Sequence, residues 1–272
     1  MRPAETFKAF EAASWGAKAP TYDRLTGRVT ARVIETLLDA AAVGAGARVL
    51  DLATGTGSIA AAAAGRGAAA VGVDLAYGMI EVARARHPDV DFRRGDAEHL
   101  PFEDAAFDAV VAGFVFNHLP SPERAAAECA RVLVPGGRLA LAVWDEPERS
   151  RFLGVLVEAV DLAGLETAAA VPGGPDPYRL AHDAQLQALL AHAGFATVAV
   201  RAIELTQQVS SADELLEGII GGSVRTARAL ERSSEGERGR VRVALETILA
   251  PYRTARGLEL PVVVKLAHGR KP

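Results

Sequence analysis

A glycine-rich turn carries the first chemical signal in the chain. Gly55 and Gly57 stand between an apolar run, residues 49–52, and an alanine-rich segment. That order is typical of a strand, a tight turn and a helix. Glycines permit positive φ and close approach to the backbone, and the free N–H groups of a helix start favour an anionic or hydrogen-bond-accepting ligand. The pattern is weak alone, because glycines also mark ordinary strand-to-helix turns.

A second apolar run, residues 70–73, ends on the acid Asp74. The spacing is close to that at which a strand–helix–strand unit places a carboxylate over a ribose. A carboxylate there can accept a hydrogen bond from each ribose hydroxyl, and each such bond contributes about 1.5–3 kcal/mol. Together, the turn and the acid predict a ligand that contains a nucleoside.

Two nucleotide-binding families share this geometry. Residues 55–60, Gly-Thr-Gly-Ser-Ile-Ala, fit the dinucleotide pattern G-x-G-x-x-G/A, so a nicotinamide-dependent oxidoreductase is one alternative. Residues 51–57, Asp-Leu-Ala-Thr-Gly-Thr-Gly, resemble instead the first motif of class I S-adenosylmethionine-dependent methyltransferases. The usual motif has glycine where Ala53 stands. With alanine at this position, the motif resembles that of the ubiquinone/menaquinone C-methyltransferase group, which belongs to methyltransferase type 11.

Later motifs extend the resemblance. Residues 95–102, Gly-Asp-Ala-Glu-His-Leu-Pro-Phe, resemble the family's adenine-binding loop. The resemblance implies that Asp96 accepts the adenine amino group, that the Ala97 N–H donates to a ring nitrogen, and that Met79 packs against the ring. The implied residues that bind S-adenosylmethionine are Tyr22, Asp51, Ala53, Thr54, Gly55, Gly57, Asp74, Leu75, Met79, Asp96, Ala97, Gly113 and Phe114.

His118 is the candidate catalytic residue. It follows the predicted fourth strand, and ligands of open parallel sheets bind beyond the carboxyl ends of the strands. A methyl acceptor must lose a proton at some stage, and a histidine with a reference pKa of about 6.5 suits that step near neutral pH. The alternative is that His118 or Asn117 caps the helix that begins near Pro122, or shapes the pocket.

Alternating strand and helix patterns surround these motifs and predict an α/β fold. Strands are predicted at residues 49–52, 70–74, 90–93, 107–112, 139–144, 195–205 and 261–268; helices are predicted at 26–42, 76–86, 122–133, 149–162, 183–193, 212–230 and 235–252. The family resemblance implies a doubly wound, Rossmann-like sheet of seven strands, mostly parallel, with an antiparallel last strand. The mixed charges of residues 225–242 indicate a solvated helix face.

We expect one methyltransferase domain over residues 1–272. An aromatic N-terminal arm (residues 1–25) and a helical insertion before the last strand (residues 206–258) would form a lid over the substrate. The alternative for the arm is an N-terminal helix that packs on the core without covering the substrate. Residues 171–178, rich in proline and glycine, are either a surface crossover or a border of the substrate pocket.

Composition limits the function classes. The net charge of −4 and the lack of a basic stripe argue against nucleic acid. The single cysteine, Cys129, fits a reducing cytosol and predicts helix packing. The start of the sequence lacks the apolar core of a signal peptide, and no run of about 18 apolar residues predicts a membrane span. We expect a cytoplasmic monomer or homodimer without a metal site.

The family resemblance implies S-adenosylmethionine-dependent methylation of an O, N or C nucleophile on a small metabolite, such as a natural product or a quinone. Besides the oxidoreductase, two alternatives remain. A non-methylating relative could use the bound cofactor for another reaction such as a cyclisation, and a binding module could sense the cofactor without chemistry.

Overall fold

The fold is a mixed β-sheet between layers of helices, described for residues 3–165 and 174–272 in a computed structural model. The strands are β1 (Arg48–Leu52), β2 (Ala69–Asp74), β3 (Asp91–Arg94), β4 (Phe107–Gly113), β5 (Leu133–Trp144), β6 (Ala196–Val209), β7 (Arg253–Thr254) and β8 (Gly257–Arg270). The helices are α1 (Pro3–Lys18), α2 (Thr26–Ala31), α3 (Ile34–Ala40), α4 (Ser58–Gly65), α5 (Tyr77–Arg86), α6 (Pro122–Val132), α7 (Arg151–Leu162), α8 (Asp183–His192), α9 (Ala212–Gly222), α10 (Arg225–Arg232) and α11 (Glu235–Leu249).

The sheet has the strand order β3-β2-β1-β4-β5-β8-β6. The pairs β3–β2, β2–β1, β1–β4 and β4–β5 are parallel, whereas β8 runs antiparallel to both β5 and β6. The two-residue β7 forms a hairpin with the start of β8. The predicted doubly wound sheet with an antiparallel last strand is therefore confirmed.

Both faces of the central strands are apolar, because successive side chains of a strand point to opposite faces. Val49 and Val111 lie in one core cluster with helices α3 and α7, and Leu50 and Val110 lie in the other with α6 and α8. This two-sided burial explains the continuous apolar runs in the sequence. Cys129 lies in the second cluster, fully buried, and burial raises the pKa of its thiol.

Among the described residues, no helix is both long and apolar enough to cross a bilayer.

Two of the predicted helices are each divided in the structure. Residues 26–42 form α2 and α3, because the N–H groups of Arg32 and Val33 bond three residues back instead of four. The β-branched residues there weaken the helix. Residues 212–230 form α9 and α10, which are divided after Gly222. Gly222 packs so closely on Thr26 that a Cβ at position 222 would overlap the threonine side chain. Glycine also has low helix propensity.

The later strands are longer than predicted. β6 continues to Val209 and β8 spans Gly257–Arg270, because the two strands pair along almost their whole length. Residues 206–209 and 257–258 therefore belong to the sheet, and the helical insertion lies between them. Its last predicted helix ends at Leu249 and continues as a 3-10 turn, Ala250–Tyr252, since Pro251 lacks an N–H for the helical ladder.

Candidate active site

One cavity of about 680 Å³ lies at the carboxyl ends of the parallel strands. Its floor is formed by the residues that follow β1, β2, β3 and β4, and its roof by α1, the α9–α10 region and residues 174–178. This volume is in the usual range for ligand pockets. Of the proline- and glycine-rich loop predicted as crossover or pocket border, residues 174–178 line the cavity, and residues 171–173 lie outside the described residues.

Three backbone positions in the glycine turn adopt the left-handed region. They are Ala53 (φ 55°), Gly55 (φ 56°) and Gly57 (φ 89°). Alanine at Ala53 is strained by about 1–2 kcal/mol in this region, which explains why the family motif usually has glycine. A Cβ on Gly55 would project into open space, whereas one on Gly57 would lie 2.7 Å from Cζ of Phe92. Gly55 therefore leaves room for a ligand, and Gly57 leaves room for core packing.

Asp51 supports the turn from behind and does not line the cavity. Its side chain is fully buried, and Oδ2 accepts hydrogen bonds from Oγ1 of Thr54 at 2.5 Å and from the N–H of Ala60 at 2.9 Å. Burial raises the pKa of Asp51 to about 7, and these hydrogen bonds oppose the rise. Asp51, Thr54 and Gly57 are not among the residues that line the main cavity. Thr54 lines a smaller cavity of about 60 Å³, which shares Gly55 and Phe114 with the main one.

Asp74 faces the main cavity at the end of β2. One carboxylate oxygen, Oδ2, accepts from the N–H of Gly55 at 2.9 Å, and the other, Oδ1, accepts from the N–H of Ala76 at 2.8 Å. Each oxygen keeps a free lone pair, so the carboxylate can still accept two hydroxyl donors. Burial raises the pKa of Asp74 to about 6, although the backbone N–H donors work in the opposite direction.

Most of the predicted cofactor residues come together here. Those that line the main cavity are Tyr22, Ala53, Gly55, Asp74, Leu75, Met79, Asp96, Ala97, Gly113 and Phe114. Tyr22 OH lies 3.3 Å from Oγ1 of Thr30, and burial raises the pKa of the phenol to about 12. Phe114 has φ 60°, which turns its ring onto Trp144 with centroids 4.4 Å apart.

Asp96 is held by a lysine that the sequence did not single out. Lys8, on α1, places Nζ 2.7 Å from Oδ2 of Asp96 and 2.7 Å from Oε2 of Glu98. Although burial works in the opposite direction, the hydrogen bond from Lys8 holds the pKa of Asp96 below its usual value. The ionised carboxylate retains acceptor capacity, so an adenine amino group can still be bound beside Lys8.

His118 lines the same cavity, in a 3-10 turn (Phe116–His118) after β4. Its Nδ1 lies 3.1 Å from Oε2 of Glu11, on α1, and its ring meets the Trp15 ring edge-on at 5.3 Å. Neither His118 nor Asn117 caps α6, whose N-cap is Ser121 without a side-chain bond. The capping alternative is therefore wrong, and the pocket position is correct.

Arg225 was expected on a solvated helix face, and the structure corrects this. Its side chain is only 14% exposed and lines the cavity at the start of α10. Nη1 donates to the carbonyl oxygen of Pro175, Nε lies 3.7 Å from Oε1 of Glu11, and the guanidinium stacks 5.1 Å from the centre of the Phe7 ring. The break after α9 turns Arg225 inward, which the sequence alone did not indicate.

Within residues 3–165 and 174–272, no three His, Cys, Asp or Glu side chains are grouped so that they could hold a metal ion.

Comparison with known proteins connects this site to a family. A family profile described as a methyltransferase domain matches residues 50–141. The demethylmenaquinone methyltransferase of Renibacterium salmoninarum is 40% identical over 152 residues, which are 54% of this chain and 64% of that protein. The enzyme of the same name from Streptomyces griseus is 37% identical over 162 residues, which are 57% of this chain and 70% of the relative. The chain belongs to the S-adenosylmethionine-dependent methyltransferases.

The solved structures agree in fold. The YcgJ protein of Bacillus subtilis superposes with a TM-score of 0.59 at 22% identity. The superposed part is 88% of this chain and 98% of the YcgJ chain. The chain spans just under two thirds of the length of the first of the curated relatives, from Renibacterium salmoninarum, and the match takes in little more than half of the chain itself.

The cofactor of the methyltransferase is S-adenosylmethionine, and the residues present fit it. Asp74 offers two free lone pairs where a ribose would lie, Gly55 leaves open space beside the backbone, and Met79 and Phe114 supply apolar surface. The oxidoreductase alternative is not supported, because residues 50–141, which include both the glycine turn and Asp96, match a methyltransferase domain.

Sequence reasoning missed Lys8, Glu11 and Arg225. A signal existed only for Glu11, which is four residues before Trp15 and therefore shares a helix face with an aromatic residue of the arm. Its partner His118 is 107 residues away along the chain, a separation at which local pattern carries no information.

Proposed function

We propose that this protein transfers the methyl group of S-adenosylmethionine to a small aromatic acceptor of the quinol type. The observation that carries the proposal is that a single cavity contains both Asp74, which would bind the ribose, and the His118–Glu11 pair. Its acceptor end is apolar, with Trp144, Leu153 and Ile219 in the lining. The printed names of the curated relatives, demethylmenaquinone methyltransferases, support an aromatic acceptor of this class.

The chemistry asks mainly for alignment. S-adenosylmethionine supplies, when bound, a methyl group on a positively charged sulfur, and the sulfur keeps the electron pair of the broken S–C bond. The protein's part is to hold the acceptor in line and exclude water, and alignment of this kind contributes about 7–11 kcal/mol in favourable cases. His118 would accept the proton that the acceptor oxygen or carbon loses.

A direct assay tests this function. The purified protein would be incubated with tritiated methyl-labelled S-adenosylmethionine and, in separate reactions, a short-chain 2-unsubstituted naphthoquinol, an arylalkylamine and an aliphatic alcohol. We expect label in the naphthoquinol product, and mass spectrometry then distinguishes ring carbon from oxygen. Transfer to the amine alone, or to none of the acceptors, would contradict the proposal. Conversion of an acceptor without label transfer would point to a non-methylating relative.

The His118→Gln variant tests the proposed proton acceptor. Loss of a general base should lower kcat by about 10²–10⁴-fold while leaving the affinity for S-adenosylhomocysteine unchanged. His192→Gln is the matched control, because His192 is an exposed residue at the end of α8. Near-normal turnover of a folded His118→Gln variant would mean that alignment alone carries the reaction.

We also propose that α1, α9 and α10 form a lid over the acceptor. Support comes from Glu11, Ile219 and Arg225, one from each helix, which all line the cavity. The lid proposed here is shorter than the predicted segment 206–258, because both ends of that segment are strands of the sheet. Hydrogen exchange should slow in these three helices when S-adenosylhomocysteine and the naphthoquinol bind together, because a closed lid excludes water. It should change little in α11, which packs against α7. Equal slowing in α11 would argue for general stabilisation instead.

A further inference from the structure

Three separate parts of the chain converge on one buried carboxylate, that of Glu11. Its side chain is 8% exposed. Oε2 accepts from Nε1 of Trp15 at 2.9 Å and lies 3.1 Å from Nδ1 of His118, while Oε1 lies 3.7 Å from Nε of Arg225. These partners come from α1, the turn after β4 and the start of α10. A buried charge is costly unless it is paired, so this convergence calls for an explanation.

An ionised carboxylate fixes the proton on a histidine. A carboxylate only accepts hydrogen bonds, so the His118 nitrogen that faces it must carry a hydrogen. In neutral imidazole, a proton on Nδ1 leaves Nε2 as a free acceptor. Nε2 has no hydrogen-bond partner among the described residues, and the ring lines the cavity. The edge-on contact with Trp15 restricts rotation of the ring.

The surroundings keep Glu11 ionised. Burial alone would raise the pKa of this carboxyl. The hydrogen bonds from His118 and Trp15, together with the positive charge of Arg225, outweigh burial and hold the pKa of Glu11 below its usual value. The charged and titratable groups facing Glu11 are His118 from the turn after β4 and Arg225 from α10, and Trp15 adds a neutral donor from its own helix.

We propose that Glu11 is the positioning residue for His118: the N-terminal helix supplies the carboxylate that holds His118 with Nδ1 protonated and Nε2 free toward the methyl acceptor. The inference rests on the proposed role of His118 as proton acceptor. Because Glu11 is on the arm, His118 acquires this partner only when α1 covers the cavity. The arm thus completes the site as well as closing it.

A simple anchor would behave differently from a positioning residue. Glutamine at position 11 keeps the size of the side chain and an oxygen that can accept from Trp15. It loses the charge, and its amide can donate to Nδ1 of His118, which would favour the opposite tautomer. In a serine protease triad, an acid-to-amide change of this kind stabilises the wrong tautomer and lowers kcat by about 10⁴-fold.

The test combines spectroscopy with kinetics. Long-range ¹⁵N–¹H spectra of histidine-labelled protein with S-adenosylhomocysteine would report the tautomer of His118, identified by the signal that is lost in His118→Gln. We expect the Nδ1–H form in the unmodified protein and a shift toward Nε2–H in Glu11→Gln. Turnover of the naphthoquinol should fall about 10²–10⁴-fold in Glu11→Gln, with the dissociation constant of S-adenosylhomocysteine changed less than twofold. Glu217→Gln, an exposed carboxylate on α9, should change none of these quantities.

Two results would overturn the inference: an Nε2–H tautomer for His118 in the unmodified protein, or a folded Glu11→Gln variant with unchanged tautomer and turnover. The first needs no variant to fold. The spectra are recorded without a methyl acceptor. Failure of methyl transfer to the naphthoquinol would therefore contradict the proposed function without affecting the tautomer result.

Discussion

Replacing Asp74 by asparagine should weaken cofactor binding by a predictable amount. Both carboxylate oxygens are already used by backbone donors, Gly55 N–H at 2.9 Å and Ala76 N–H at 2.8 Å. An amide provides only one oxygen. Its NH₂ group must then face one of these N–H donors, and that position can no longer accept a ribose hydroxyl. The loss of one hydrogen bond to a charged group is about 1.5–3 kcal/mol, which predicts a roughly tenfold to hundredfold weaker affinity.

The same carboxylate gives the binding a defined pH dependence. The pKa of Asp74 is raised to about 6, and hydroxyl donors favour the ionised form, so binding lowers this pKa. Affinity is therefore full above pH 6 and falls as the pH drops below it, by at most about tenfold per pH unit. Asp74→Asn should bind weakly without this dependence.

Calorimetry with S-adenosylhomocysteine between pH 5 and 8 measures both effects. Asp161→Asn is the matched control, because Asp161 is exposed at the end of α7. An unchanged dissociation constant in a folded Asp74→Asn variant would refute the assignment of Asp74 to the ribose. An affinity in the unmodified protein that is independent of pH down to 5 would refute the role of its ionisation.

Three further changes have expected outcomes. Lys8→Met removes the cation that joins α1 to Asp96 and Glu98, so hydrogen exchange in α1 should become faster; unchanged protection would show that the ion pairs do not hold the arm. Ala53→Gly and Gly57→Ala should change the Tm in opposite directions, as measured by calorimetric melting. The first relieves about 1 kcal/mol of left-handed strain. The second places a Cβ 2.7 Å from a Phe92 ring carbon and should cost about 2 kcal/mol, or roughly 4–8 °C in Tm. A loss of Tm in Ala53→Gly, or none in Gly57→Ala, would contradict the geometry.

The core fold and the residues at the floor of the cavity could be predicted from local patterns. The glycine turn, Asp74 and the Asp96 loop each depend on a strand followed directly by a turn. The carboxyl ends of parallel strands then bring these turns together without further information. The position of Asp51 away from the cavity has a local cause as well: its side chain, at the end of β1, is buried where Oγ1 of Thr54 and the N–H of Ala60 donate to it.

Helix boundaries were less predictable, because packing decided them. The helical pattern of residues 212–230 continues through Gly222, yet the chain breaks there. The close contact with Thr26 requires a glycine, and Ser223 is extended. That break turns Arg225 from the expected solvated face into the cavity.

The sequence by itself determined the strands, the turn and the acids that line the floor of the cavity, since these depend on residues a few positions apart. Only the tertiary structure decided what surrounds His118. Glu11 and Arg225 come from opposite ends of the chain, 107 residues before His118 and 107 residues after it. They are brought together when α1 and α10 bury their apolar faces, Phe7 among them, over the open end of the sheet. Apolar burial is non-directional, so the sequence pattern predicted that these helices would pack, and the fold alone determined which charged groups would meet.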